Sequence, residues 1–114
     1  MIRRANEIKQ EDRTAFGGPG QLHAKVLLEP DEFNKHGRLF NHCTLHTGDA
    51  IGVHPHENEF EIYYILTGEG LYNDNGTETK VSAGDFTICY SGEKHGIKNV
   101  SDADLTFIAL IIYN

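Results

Sequence analysis

The chain is 114 residues long, with 39% hydrophobic and 24% charged residues, enough to build one packed core and little more. Ten basic against seventeen acidic residues leave a formal charge of −7, which argues against a nucleic-acid or anionic-membrane surface. No apolar run reaches the roughly 18 residues of a membrane span, and Met1 to Glu7 lacks the apolar stretch of a secretory signal. Cys43 and Cys89 are too few for a disulfide scaffold and read as reduced core thiols, so a cytoplasmic setting is expected.

In chain order, residues 1–20 read as a short N-terminal arm that ends in a flexible turn, Gly17-Gly18-Pro19-Gly20. A single domain over 21–114 is expected to follow. Gln21 to Leu28 makes a plausible strand, and Pro30 to Gly37 a short helical turn opened by Pro and closed by Gly. Strands are then expected near 38–46, 50–56, 59–66, 69–73, 77–81, 85–90, 95–99 and 104–113, separated by turn signals. Among the breaks, Asn75-Gly76 offers two residues tolerant of positive φ, as a tight hairpin needs. Asp74-Asn75-Gly76 also resembles a calcium loop, but no twelve-residue pattern with a closing Glu follows it, so it is a turn. Short strands at this spacing indicate an all-β sandwich or barrel. The last strand, Leu105 to Tyr113, is apolar on both faces; one face fills the barrel, and a second subunit is the simplest cover for the other.

Seven histidines in so short a reduced chain raise the expectation of a metal site. In the segment Gly48-x5-His54-Pro55-His56-x4-Glu61-x6-Gly68, His54 and His56 are two apart and project together from a strand. Glu61 opens the next strand, about 4.8 Å away, within reach of the same point. By itself the triplet could be a polar strand end with surface histidines. A second segment, Gly84-x5-Tyr90-x-Gly92-x2-His95-x3-Asn99, supplies a fourth candidate ligand in His95. Three imidazoles and one carboxylate suit one divalent transition-metal ion per subunit, such as Mn, Fe, Zn, Ni or Co, with open positions for water or substrate.

Together the two segments resemble the two signature motifs of the cupin superfamily, matching nine of ten fixed positions, with Tyr90 where the family usually has Pro. The resemblance covers residues 48–99 by motif and about 38–113 by strand pattern. It implies a double-stranded β-helix, a jelly-roll barrel, with His54, His56, Glu61 and His95 as metal ligands. It further implies turns at Gly48, Gly68, Gly84 and Gly92, a turn-supporting Asn99, and a homodimer exchanging an N-terminal strand.

Strand parity then sorts the neighbours. Tyr63 shares the face of Glu61 and reads either as a substrate-facing, catalytic residue or as a core aromatic, while Ile62 and Tyr64 face away. Ile97 and Asn99 share the face of His95. Glu59 reads as part of a solvated bend rather than as a general base. Leu39, Cys43 and Leu45 are expected inward, leaving His42 and His46 outward; the reverse register would bring His42 into the cavity as an acid–base group. His23 and His36 carry no pattern, and Cys89 reads as an inert buried thiol.

The fold alone does not settle an activity. One reading is a metal-dependent dioxygenase, decarboxylase, isomerase or lyase acting on a small oxygen-rich metabolite such as a hydroxy acid, dicarbonyl or sugar derivative. The resemblance implies this range too, since related small cupins include oxalate-decarboxylase-like proteins. The other reading is a non-catalytic metal-containing binding or sensing module.

Overall fold

The computed structural model describes residues 1–114. Ten strands occur in the order β1 (Lys9–Arg13), β2 (Leu22–Leu28), β3 (Gly37–Leu45), β4 (Ala50–Pro55), β5 (Glu59–Thr67), β6 (Glu69–Asp74), β7 (Thr77–Ser82), β8 (Phe86–Cys89), β9 (Lys94–Lys98) and β10 (Leu105–Tyr113). They form a six-stranded sheet ordered β1-β2-β3-β10-β5-β8 and a four-stranded sheet ordered β4-β9-β6-β7. From β3 onward the chain crosses repeatedly between the two sheets, which is the winding of a double-stranded β-helix. Leu45, Ile65, Ile97, Leu105 and Phe107 fill the space between the sheets and are almost wholly buried.

The expected strands are present with ends shifted by a residue or so, whereas the helical turn is a single 3-10 turn over Pro30–Phe33, capped by Asn34 at φ 52°, and Gly37 already belongs to β3. Asn75 and Gly76 take φ of 53° and 100° in the two-residue loop between β6 and β7, where Asp74 pairs with Thr77. Gly48, Gly68, Gly84 and Gly92 all have positive φ, and at Gly68 a Cβ would also overlap the Asp104 carbonyl. The buried Asn99 side chain donates to the Leu45 and Ala103 carbonyls and accepts from Ser101, tying the turn before β10 to the end of β3.

The N-terminal arm differs from expectation. Residues 9–13 form a strand on this chain's own β2, from Lys9 opposite Val26 to Arg13 opposite Leu22. Their sequence, Lys-Gln-Glu-Asp-Arg, has no apolar alternation to betray an edge strand. The glycine-rich turn that follows is tied down: the Ala15 carbonyl accepts from Gly52 and Gly18, and Ala50 donates to the Pro19 carbonyl. A Cβ at Gly18 or Gly52 would overlap backbone carbonyls, so these glycines allow the arm to lie directly on β4.

β5 reverses the usual alternation. Glu59, Glu61, Tyr63 and Ile65 point inward and are buried, while Phe60, Ile62, Tyr64 and Leu66 face out. The register places Leu110, Ile62 and Ile88 side by side on the outer face of the large sheet, and Ile108, Tyr64 and Phe86 in the next row. Tyr64, Phe86 and Tyr90 are each about half exposed there.

Candidate metal centre

The antiparallel register of β4 and β9 sets His54 directly opposite His95. His56 follows one residue past the end of β4, and Glu61 projects inward from β5. All four are at least 95% buried, and one donor atom from each lies within 4.8 Å of the others. Glu61 Oε1 is 2.9 Å from His95 Nε2, 3.1 Å from His56 Nε2 and 3.6 Å from His54 Nε2. The three imidazoles meet edge-on, with ring centroids 4.8–5.0 Å apart.

What lies behind each ring decides which nitrogen faces the centre. His54 Nδ1 donates to the Gly52 carbonyl at 2.7 Å, and His56 Nδ1 to Glu59 Oε2 at 2.6 Å. His95 Nδ1 meets the Tyr72 hydroxyl at 2.8 Å. Each ring therefore holds its Nδ1 on an oxygen and turns Nε2 inward, which is how protein imidazoles are oriented toward a metal. His56 Nε2 and His95 Nε2 are only 3.1 Å apart, an arrangement of lone pairs that a cation between them stabilises. This donor set fits a divalent transition metal.

Burial opposes ionisation of Glu61, but its contacts with the three histidines outweigh it and hold the carboxyl far below the usual range. At His95 burial dominates and lowers the pKa; at His56 burial also acts downward, yet the bonds to Glu61 and Glu59 leave it raised.

Glu59 corrects the sequence reading. It is not a solvated bend residue but 92% buried, in phase with Glu61 and Tyr63 on the inner face of β5. Arg38 grips it with two bonds of 2.8 Å, from Nε and Nη2, and its second role is to accept the His56 Nδ1 proton. The Arg38 contact and then the His56 bond hold its pKa down against burial. Parity counted back from Glu61 carries this placement; Arg38, on another strand, has no local signal.

A cavity of about 90 Å³ opens beside the centre, lined by His54, His56, Glu61 and Tyr63 together with Arg13, Phe16, Arg38, Asn41 and Cys43. Tyr63 is a core aromatic, almost fully buried and stacked on His95 at 4.9 Å, and it also lines the cavity. Burial first, then the Glu61 charge, pushes its pKa well above normal. Phe16, which sequence reasoning left in a featureless arm, stacks on His54 at 3.9 Å with rings nearly parallel. His42 lies on the outer face, as the preferred register has it, with Asn41 and Cys43 turned inward. His46 also points out and pairs with Asp104 at 2.8 Å; His23 pairs with Asp12 at 2.8 Å. Cys43 and Cys89 are free and buried.

Residues 41–113 match the cupin domain family, so the chain belongs to the cupins. Among its relatives is the oxalate-binding protein of Thermotoga maritima, 42% identical over 113 residues, 98% of this chain and 93% of that protein. A Thermotoga maritima crystal structure described as a "predicted oxalate decarboxylase" superposes with a TM-score of 0.94 at 42% identity, covering 100% of both chains. A cupin sugar phosphate isomerase from Silicibacter pomeroyi shares the fold, with a TM-score of 0.76 at 20% identity over 100% of this chain and 76% of that one.

Proposed function

We propose that this cupin binds a small oxygen-rich carboxylate, of which oxalate is the model, at one divalent transition-metal ion held by His54, His56, Glu61 and His95. The observation that carries this reading is the convergence of three buried Nε2 atoms and one buried carboxylate beside a small cavity that His54, His56 and Glu61 line. A metal bound there supplies a Lewis acid for adjacent ligand oxygens. The chain's residues orient it, through the Gly52, Glu59 and Tyr72 contacts, and exclude bulk water by burial. The name of the Thermotoga maritima relative supports the choice of oxalate. Calorimetric titration of metal-loaded and chelator-treated protein with oxalate tests the reading. Binding that requires the metal supports it, and equal binding without metal refutes it.

Turnover is the second reading, and Tyr63 favours it, since its protonated hydroxyl group belongs to a residue lining the cavity. Binding stands ahead of turnover because the other cavity groups are poor proton donors near neutral pH. Glu59 is ionised and committed to Arg38 and His56, and burial raises the Cys43 thiol far above its ordinary range. Incubation with oxalate under air and without oxygen, followed by assay for formate and carbon dioxide, separates the two. Loss of any such product in Tyr63→Phe assigns the proton to that hydroxyl.

A homodimer in a reducing, cytoplasmic setting belongs to the same proposal. The outer face built from Ile62, Tyr64, Phe86, Ile108 and Leu110 supports a second copy as its cover, and the two free cysteines support the setting. Sedimentation equilibrium of the wild type and Tyr64→Glu tests the dimer; a monomeric wild type refutes it.

A further inference from the structure

The metal cavity opens toward a larger groove of about 420 Å³, lined on its outer side by Lys9, Glu11, Val26, Leu28, Glu29 and Pro30. Arg13, Arg38, Leu39 and Asn41 line both spaces and so form the neck between them. The two arginines are not equivalent. Arg38 is neutralised by its two bonds to Glu59, whereas Arg13 has no carboxylate within ion-pair distance in a chain of formal charge −7. Its charge reaches inward far enough to act on the Cys43 thiol. Beside it, Asn41 is 95% buried, yet its amide makes no hydrogen bond within the protein and is open to the cavity. The neck therefore offers a polar ligand a guanidinium with no carboxylate partner and an amide with no hydrogen bond inside the protein.

The charges also add up to a ligand class. A divalent ion held by one carboxylate would leave net positive charge at the floor, the Arg38–Glu59 ion pair cancels, and Arg13, with no carboxylate partner, adds a positive charge at the neck. Positive charge at the floor and at the neck of a small cavity matches a short dianion.

From this geometry we infer that Arg13, contributed by the N-terminal strand, together with Asn41, receives the end of the ligand that faces away from the metal, and so selects short dicarboxylates over monoanions of the same size. The inference rests on the metal-centred reading of the floor. It also gives β1 a role beyond closing the sheet edge, because the strand brings a selecting cation to the site.

The test compares oxalate with oxamate, in which one carboxylate becomes an uncharged amide at nearly constant size. Affinities are measured by calorimetry for metal-loaded wild type, Arg13→Met, Arg13→Lys, Asn41→Ala and Lys9→Met. Wild type should favour oxalate by about tenfold to a hundredfold, the range of a hydrogen bond between charged partners. Arg13→Met should bring that ratio close to one while leaving oxamate within about threefold, and Arg13→Lys should restore part of it. Asn41→Ala should weaken both ligands. Lys9→Met removes the same charge further out, where Lys9 already pairs with Glu11 at 3.3 Å, and should leave the ratio unchanged. A wild-type ratio near one, an Arg13→Met ratio equal to wild type, or an equal effect from Lys9→Met overturns the assignment of Arg13. Failure of wild type to bind oxalate overturns this inference together with the metal-centred reading. Binding of oxalate that survives metal removal overturns only that reading, and the ratio still judges Arg13.

Discussion

Glu59 offers the most informative perturbation, because it touches a metal-ligand candidate without being one. Glu59→Gln keeps an oxygen that can accept the His56 Nδ1 proton but removes the charge behind the 2.6 Å contact and the two 2.8 Å bonds to Arg38. Glu59→Ala removes the acceptor altogether. Loss of such a supporting partner costs about 10–100-fold in metal affinity, with the Gln variant expected at the low end and Ala at the high end. In free energy that is about 1.4 and 2.7 kcal/mol. The fold itself should suffer less, because the Arg38 side chain is 43% exposed and its pairing is screened, contributing at most about 1 kcal/mol. Competition titration of Zn²⁺ or Mn²⁺ against a chromophoric chelator reads the affinity, and melts in chelator read the metal-free fold. Metal affinity of Glu59→Ala within threefold of wild type would refute the orienting role. So would a metal-free destabilisation as large as the loss in affinity.

Glu61→Gln should cost more, at least about a hundredfold in metal affinity, and should abolish the rise in melting temperature that metal gives wild type; a retained rise counts against Glu61 as a ligand. Cys43 and Cys89 should resist a thiol reagent at pH 8 until the protein is unfolded, since both are buried and burial pushes Cys89 up to about 11; rapid labelling of either in the native state contradicts their placement. Gly68→Ala should destabilise by about 1–3 kcal/mol and by more than Gly48→Ala, because both glycines have positive φ but only Gly68 abuts the Asp104 carbonyl; equal denaturation midpoints remove the steric argument. His46 should titrate above its ordinary 6.5, raised by the hydrogen bond and then the charge of Asp104. Its stabilising contribution is therefore full below the unfolded pKa and lost as pH rises through the raised folded value. Proton NMR should show the His46 midpoint falling in Asp104→Asn.

The core of the site was legible because its constraints are local. Strand parity brings His54, Glu61 and Tyr63 inward, and glycines at Gly48, Gly68, Gly84 and Gly92 mark backbone turns that few other residues adopt. Asn99 was legible for the same reason, since it ties a nearby turn. The surroundings were harder, because they depend on chain crossings that no window of sequence contains. Arg38 meets Glu59 only because β3 and β5 flank β10, and Phe16 meets His54 only because the arm lies on β4. β1 is charged at every position but one, so its pairing with β2 leaves no hydrophobic period to read. Glu59 shows how a correct rule can be misapplied: its parity with Glu61 was visible, but the polar stretch Glu57-Asn58-Glu59 suggested solvent.

The central claim is that four buried side chains are built around one metal ion. Elemental analysis of untagged protein, purified without chelator and again after metal reconstitution, tests it most directly. The account predicts close to one divalent transition-metal ion per chain, lost in His95→Ala under the same treatment. Protein that remains folded and takes up no metal under either condition would contradict it.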